Sequence, residues 1–270
     1  MKLAIISDIH ANADALRATL AKISALAVNR IVCLGDIVGY NTEPAACITL
    51  LRLAGALCIA GNHDRAVTGQ ISTAGFSHTA ARAVAWTQKR LDAEALDYLA
   101  ALPLTLSLPG QLVAVHGALH PEHGCETVRL DNDAARDLSF AALMRHPSGV
   151  RICAFGHTHR LGIFELENGS VRQRTADEVA LRPGAFYLIN PGSVGQSRTA
   201  DRRASFLVLD TARQVVTVHR VSYDADAVLA KTRAAGLMPA FSFLPPPVRD
   251  GLRWSVRAVG LSDAVKRMVG

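Results

Sequence analysis

Apolar runs in this chain repeatedly end on Asp, Asn or His. Leu3-Ala4-Ile5-Ile6 leads into Ser7-Asp8-Ile9-His10, and Ile31-Val32-Cys33-Leu34 into Gly35-Asp36. Leu57-Cys58-Ile59-Ala60 leads into Gly61-Asn62-His63-Asp64, Leu112-Val113-Ala114-Val115 into His116-Gly117, and Ile152-Cys153-Ala154-Phe155 into Gly156-His157-Thr158-His159. Short apolar runs bounded by turn residues read as buried strands. Between the first three, Leu16, Leu20, Ile23 and Leu26 recur at helical spacing over residues 13–28. Pro44, well suited to a first helical turn, opens a second helix to about Leu53. This β-α-β-α-β alternation predicts parallel strands covered by helices. Ligands of such sheets gather at the carboxyl ends of the strands, where all these polar tips lie.

The texture changes further on. Residues 75–102 read as two helices, with Phe76, Ala80, Val84, Leu91, Leu96 and Leu99 apolar and Pro103 as terminator. From Leu104 short strands dominate: 104–108, 112–115, 151–155, 161–166, 185–189, 205–209 and 214–222. Asn168-Gly169 is a strong hairpin signal. Two terminal helices are predicted over 225–236 and 248–268, split by Pro245-Pro246-Pro247. The second half therefore closes a second sheet.

Composition narrows the function classes. A chain of 270 residues can bury a sizeable core. Its net charge of +6 favours an anionic partner. Aromatics are only 5% and no basic run stands out, so a stable nucleic-acid complex is not expected. The five cysteines form no C-x-x-C pair, and three sit in predicted strands, which points to a reducing compartment. Asp8 and His10 interrupt the first apolar run too early for a secretory leader, and no membrane-length apolar stretch occurs. The cytoplasm is the expected location; oligomeric state is left open.

The polar tips carry the chemistry. Asp8-x-His10 and His157-x-His159 place ligands at i and i+2, which share a face on an extended strand. Asp36 follows a glycine turn, and its carboxylate can bridge two cations. With Asn62 and His116 the donors exceed the four that a tetrahedral zinc site needs. They suit a pair of ions sharing a bridge. Nitrogen and oxygen donors without thiolate favour Mn, Fe, Zn, Co or Ni over Ca or Mg.

The ordered series Asp8-x-His10, Gly35-Asp36, Gly61-Asn62-His63-Asp64, His116 and Gly156-His157-x-His159 resembles the calcineurin-like metallophosphoesterases. The likeness continues through Asn190-Pro191-Gly192-Ser193-Val194-Gly195, typical of the bacterial branch, and covers residues 1–222. Residues 223–270 are left as a C-terminal helical segment packed on that catalytic core. The resemblance implies a four-layer αββα sandwich, two mixed β-sheets flanked by helices. It implies that Asp8, His10 and His159 hold one ion, that Asn62, His116 and His157 hold the other, and that Asp36 bridges. His63 would be the acid, and a hydroxide between two divalent cations, manganese favoured, the in-line nucleophile. The substrate implied is a phosphate ester of a nucleotide or small molecule, and a phosphodiesterase is the first reading. A phosphomonoesterase (including a protein serine/threonine phosphatase) and a dinucleoside polyphosphate hydrolase are the alternatives. A non-catalytic scaffold is disfavoured because every ligand position is filled.

Residues around these motifs carry two readings each. Asn12 either touches substrate phosphate or caps the first helix, and Arg198 either grips phosphate or is surface charge. Asp64 is expected to orient a loop, while Tyr40 and Asn41 are candidates for the mouth of the site. His78, His120, His123, His146 and His219 are assigned to surface or packing, with His120 and His123 close enough to His116 to shape a rim.

Overall fold

The structure is a computed structural model that describes residues 1–121 and 125–238. The predicted helix at 248–268, the triple proline and His123 lie outside the described residues. The first half runs β1 (Lys2–Ile6), α1 (Ala13–Ser24), β2 (Arg30–Cys33), α2 (Pro44–Leu53), β3 (Leu57–Cys58), α3 (Asn62–Val67), α4 (His78–Gln88) and α5 (Ala93–Ala100). The second runs β4 (Thr105–Leu108), β5 (Leu112–Val115), α6 (Asp133–Met144), β6 (Ile152–Ala154), β7 (Leu161–Glu167), β8 (Ser170–Arg174), β9 (Glu178–Ala180), β10 (Phe186–Pro191), β11 (Ala204–Asp210), β12 (Val215–Val221) and α7 (Ala225–Ala234).

Two mixed six-stranded sheets result, ordered β3-β2-β1-β11-β12-β9 and β4-β5-β6-β10-β7-β8. In the first, β1, β2 and β3 are parallel, with Ile5 opposite Val32 and Cys33 opposite Cys58. In the second, β5, β6 and β10 are parallel, with Val113 opposite Cys153 and Leu188 opposite Cys153 on its other side. Each parallel triplet delivers its carboxyl ends to the same edge.

Strand alternation builds the layers. Leu3, Ile5, Val32 and Leu34 face Leu112, Ala114, Ala154 and Ile189 between the sheets. Ala4, Ile6 and Cys33 face outward onto Leu16, Ile23, Cys47, Ile48 and Leu51 of α1 and α2. On the far side Val113, Val115, Cys153 and Leu188 pack on Phe140 and Leu143 of α6. Helix, sheet, sheet, helix is the four-layer αββα sandwich that the sequence implies. All five cysteines are free thiols.

Four elements are not among those predicted from the sequence: α3, α6, β8 and β9. α6 presents a stripe of Ser139, Phe140, Ala142 and Leu143, too narrow to register as an amphipathic period, although Asn132 caps it by accepting from Ala135 N at 3.0 Å. α3 begins at Asn62, with three residues between it and β3 and with Gly61 at its N-cap donating its N–H to Asp64 Oδ2 at 2.9 Å. In the C-terminal segment, α7 buries Val228 and Thr232, with Thr232 Oγ1 donating to Asn41 Oδ1 at 3.0 Å. No helix among the described residues is long and apolar enough to cross a membrane.

Candidate metal centre

Asp8-x-His10 and His157-x-His159 do not lie on extended strand. β1 ends at Ile6 and β6 at Ala154, before either motif. Asp8, His10, Asp36, His157 and His159 instead adopt left-handed backbone, with φ of 55°, 50°, 52°, 62° and 56°. This conformation costs an L residue roughly 1–2 kcal/mol, with Asp, Asn and His over-represented among the exceptions. Strand alternation therefore does not set which side chains meet: His157 and His159 enter different clusters, while Asp8 and His10 enter the same one. The backbone supplies the support: Asp8 N donates to Gly35 O (3.1 Å), His10 N to Asp36 O (2.9 Å) and Ala11 N to Ile37 O (2.9 Å).

Asp8, His10, Asp36 and His159 form one group of candidate donor atoms, and Asp36, His116 and His157 a second, with the atoms of each within 4.8 Å of one another. Asp36 belongs to both. Asn62 Oδ1 joins the second group at 3.1 Å from His116 Nε2. Around the shared carboxylate, Asp36 Oδ2 is 3.5 Å from His10 Nε2 and 3.4 Å from His116 Nε2. All the ligand positions read from the sequence therefore converge.

These side chains fit divalent cations on their own chemistry. Nδ1 of His10, His116 and His159 faces the carbonyl of Val38 (3.1 Å), Leu34 (2.7 Å) and Gln196 (2.6 Å). A carbonyl only accepts, so Nδ1 carries the hydrogen; the Nε2 lone pairs of His10 and His159 then point inward, and Nε2 of His116, facing Asn62 Oδ1 and Asp36 Oδ2, becomes a metal donor when it gives up its proton. His10 Nε2 and His159 Nε2 are 3.1 Å apart, and both carboxylate oxygens of Asp8 are buried without a hydrogen-bond partner. Facing lone pairs and an orphaned carboxylate are stabilised by a cation between them.

Burial pulls His157 and His159 down to about 3, so both are neutral donors at physiological pH. Burial pushes Asp8 up to about 7, with His116 opposing and Asp36 adding. Burial also acts to raise Asp36, but His116, His63 and His10 outweigh it and hold the carboxyl well below its usual range. His116 answers in kind: burial lowers it, yet the Asp36 charge carries it up to about 9.

Supporting residues surround the donors. Asp64 Oδ1 accepts from Ile37 N (2.9 Å) and Val38 N (3.1 Å), and its Oδ2 from Gly61 N (2.9 Å), so it orients the Asp36 loop as expected. Asn12 spends its amide on the fold: Oδ1 caps α1 through Ala15 N (3.0 Å) and Nδ2 donates to Gly195 O (3.1 Å). Asn41 does likewise, donating to His10 O at 2.8 Å. The Asn190–Gly195 loop braces both motifs. Ser193 Oγ donates to Asp8 O (2.8 Å), Gly195 N donates to Asp8 O (3.0 Å), and Asn190 Nδ2 donates to Gly156 O (2.9 Å).

Above the donors lies a cavity of about 370 Å³ lined by Asp36, Tyr40, Asn62, His63, His157 and His159, with Arg129 and Arg198 at its sides. The His63 ring sits 4.8 Å from Tyr40 and 5.1 Å from Phe76, and its Nδ1 is buried without a partner. Arg198 Nη2 donates to Tyr40 OH at 3.3 Å. Arg129 and Phe76 were missed in the sequence, where neither stands near a motif. His120 does not line the cavity.

Gly61 is obligatory here. A Cβ on it would collide with Asp36 Oδ1 and Asp36 N, and one on Gly35 would collide with the Gly61 backbone. Gly61→Ala is expected to displace Asp36 and to lower metal content, measured by elemental analysis, while thermal unfolding remains a single transition.

The fold and the donor cluster together define a metallophosphoesterase. The calcineurin-like phosphoesterase superfamily domain matches residues 1–214. The chain is 35% identical over 225 residues to the uncharacterized protein MJ0912 of Methanocaldococcus jannaschii, covering 82% of this chain and 88% of that one. Its structure is similar to a metallophosphoesterase from Sphaerobacter thermophilus, with a TM-score of 0.72, 36% identity, and coverage of 88% and 95% of the two chains. The fold is also that of the hypothetical protein PH1004 from Pyrococcus horikoshii (TM-score 0.69, 18% identity, coverage 88% and 94%). The chain belongs to the calcineurin-like phosphoesterase superfamily and is a phosphoester hydrolase.

Proposed function

We propose that the protein is a phosphodiesterase that works with two divalent cations bridged by Asp36. The observation that carries this reading is the double membership of Asp36 in two groups of donor atoms. Asp8, His10 and His159 complete one ligand set, and Asn62, His116 and His157 the other. Manganese suits both sets, since neither contains a thiolate. When bound, such a pair supplies Lewis-acid polarisation of the phosphoryl oxygens and generates hydroxide at neutral pH.

The protein's own residues do the remaining work. The three backbone carbonyls behind His10, His116 and His159 fix their tautomers. Arg198 and Arg129 flank the cavity and neutralise phosphoryl charge, a task for which planar guanidinium groups are suited. His63 holds a proton for the leaving oxygen. Burial lowers its pKa, with Asp36 opposing, and an arriving phosphate anion raises it.

A diester is favoured over a monoester by the openings of the cavity. It shares Arg129 and His159 with one neighbouring cavity, and Tyr40, Ser77 and Arg198 with another. A diester carries two substituents on phosphorus, and each has somewhere to go. The test is turnover of bis-p-nitrophenyl phosphate against p-nitrophenyl phosphate by manganese-reloaded protein, with metal stoichiometry measured on the same sample. Dominant diester turnover at two ions per chain is the expected result. Dominant monoester turnover overturns the diester reading, and one ion per active chain overturns the dinuclear one.

A further inference from the structure

Arg129 and His159, which line the cavity above the donor cluster, also line a groove of about 820 Å³ beside it. Five arginines border this groove: Arg129, Arg136, Arg160, Arg203 and Arg220. They come from separate stretches of chain, so the fold alone assembles them. Asp131 and Asp201 line the same groove, pairing with Arg129 (3.3 Å) and Arg203 (2.7 Å). Asp133 holds Arg136 at 2.6 Å and Asp177 holds Arg220 at 2.8 Å.

One of the arginines lacks an acceptor, and a second keeps one donor nitrogen unspent. Arg160, the residue after His159, is exposed, and its side chain has no hydrogen-bond or ion-pair partner among the described residues. Arg136 is largely buried, with its guanidinium 4.7 Å from the Phe164 ring and its Nε buried without a partner. The hydroxyls of Ser197 and Thr199 add further donors to the lining. Surface ion pairs such as Arg203–Asp201 contribute little net stability, so a phosphate can compete for these guanidinium groups. Arginine binds phosphate through paired N–H donors in a fixed fork.

We propose that this groove is a second phosphate subsite. It takes a terminal phosphate of the same substrate whose ester bond lies over the donor cluster. The substrate class is then a phosphodiester with an additional phosphate monoester, such as a 5′-phosphorylated dinucleotide. This inference rests on the phosphodiesterase reading, and its test separates the two.

The test compares a thymidine dinucleotide with and without a 5′-phosphate, in the native protein and in Arg160→Ala/Arg203→Ala. Lys89→Ala/Arg172→Ala serves as the control, since it removes the same charge from exposed positions outside the groove. In the native protein and the control, the terminal phosphate is expected to lower KM about tenfold, the effect of one good charge-assisted contact. In the groove variant that advantage falls to about twofold or less, while kcat for bis-p-nitrophenyl phosphate is unchanged. An equal advantage in all three proteins, or none in the native protein, overturns the subsite. Should no diester turn over, the phosphodiesterase reading fails and direct binding of the two dinucleotides decides the groove. Phosphate-dependent binding lost only in the groove variant supports it; equal binding of both dinucleotides overturns it.

Discussion

Asp36→Asn is expected to lose both metal ions and at least about 10³-fold in diester turnover, because Lewis-acid stabilisation by a metal pair supplies several kcal/mol. The substitution isolates charge from geometry. Asn tolerates the left-handed backbone at φ 52° that Asp36 adopts. Its amide oxygen can still accept from His63 N, as Asp36 Oδ1 does at 2.8 Å. The side-chain volume is retained in a position only 1% exposed. What disappears is one negative charge shared by two donor groups, with His10 and His116 both within 3.5 Å of it. The fold should persist, since His116, whose pKa is raised by the Asp36 charge, can release its proton and leave no unpaired buried charge behind. Elemental analysis after reloading gives the result directly. Full occupancy of two ions in a folded variant would remove Asp36 from the bridging position.

Sheet architecture and the convergence of Asp8, His10, Asp36, His116, His157 and His159 at one edge were both legible in the sequence, for a common reason. A buried strand ending in Asp, Asn or His leaves an abrupt change of polarity, and repetition of that event marks an edge. The local geometry was not legible. An i, i+2 spacing on extended strand would put His157 and His159 on one face, whereas they enter different donor groups, and Asp8 and His10, with the same left-handed backbone, share one. Nothing in the residue types distinguishes an extended His-x-His from a left-handed one. The braces were half visible: the Asn190–Gly195 motif stood out, but Gln196, whose carbonyl fixes His159 Nδ1, works through its backbone and carries no side-chain signal. The arginine groove was invisible because Arg129, Arg160 and Arg203 are distant in sequence and ordinary singly. Helix α6 escaped because Ala and Ser fill much of its buried stripe.

His63→Ala is the second large effect: kcat for the diester should fall by about 10²–10⁴-fold, the usual contribution of a positioned general acid. Metal content should stay unchanged, because His63 stands in neither donor group. Its neighbour Asn62 points its oxygen to His116, whereas the His63 ring lies between Tyr40 and Phe76 at the cavity wall. Nδ1 is buried and sits so close to Gly39 that a Cβ there would collide with it. Proton exchange with substrate therefore falls to Nε2. An acid matters most when the leaving oxygen is strongly basic. The loss should accordingly be greater for a nucleoside ester than for a p-nitrophenyl ester, whose leaving group departs as a stabilised anion. Equal losses on the two would reassign His63 to charge stabilisation of the phosphoryl oxygens. Loss of an ion from the variant would instead make it a ligand and displace Asn62 from that role.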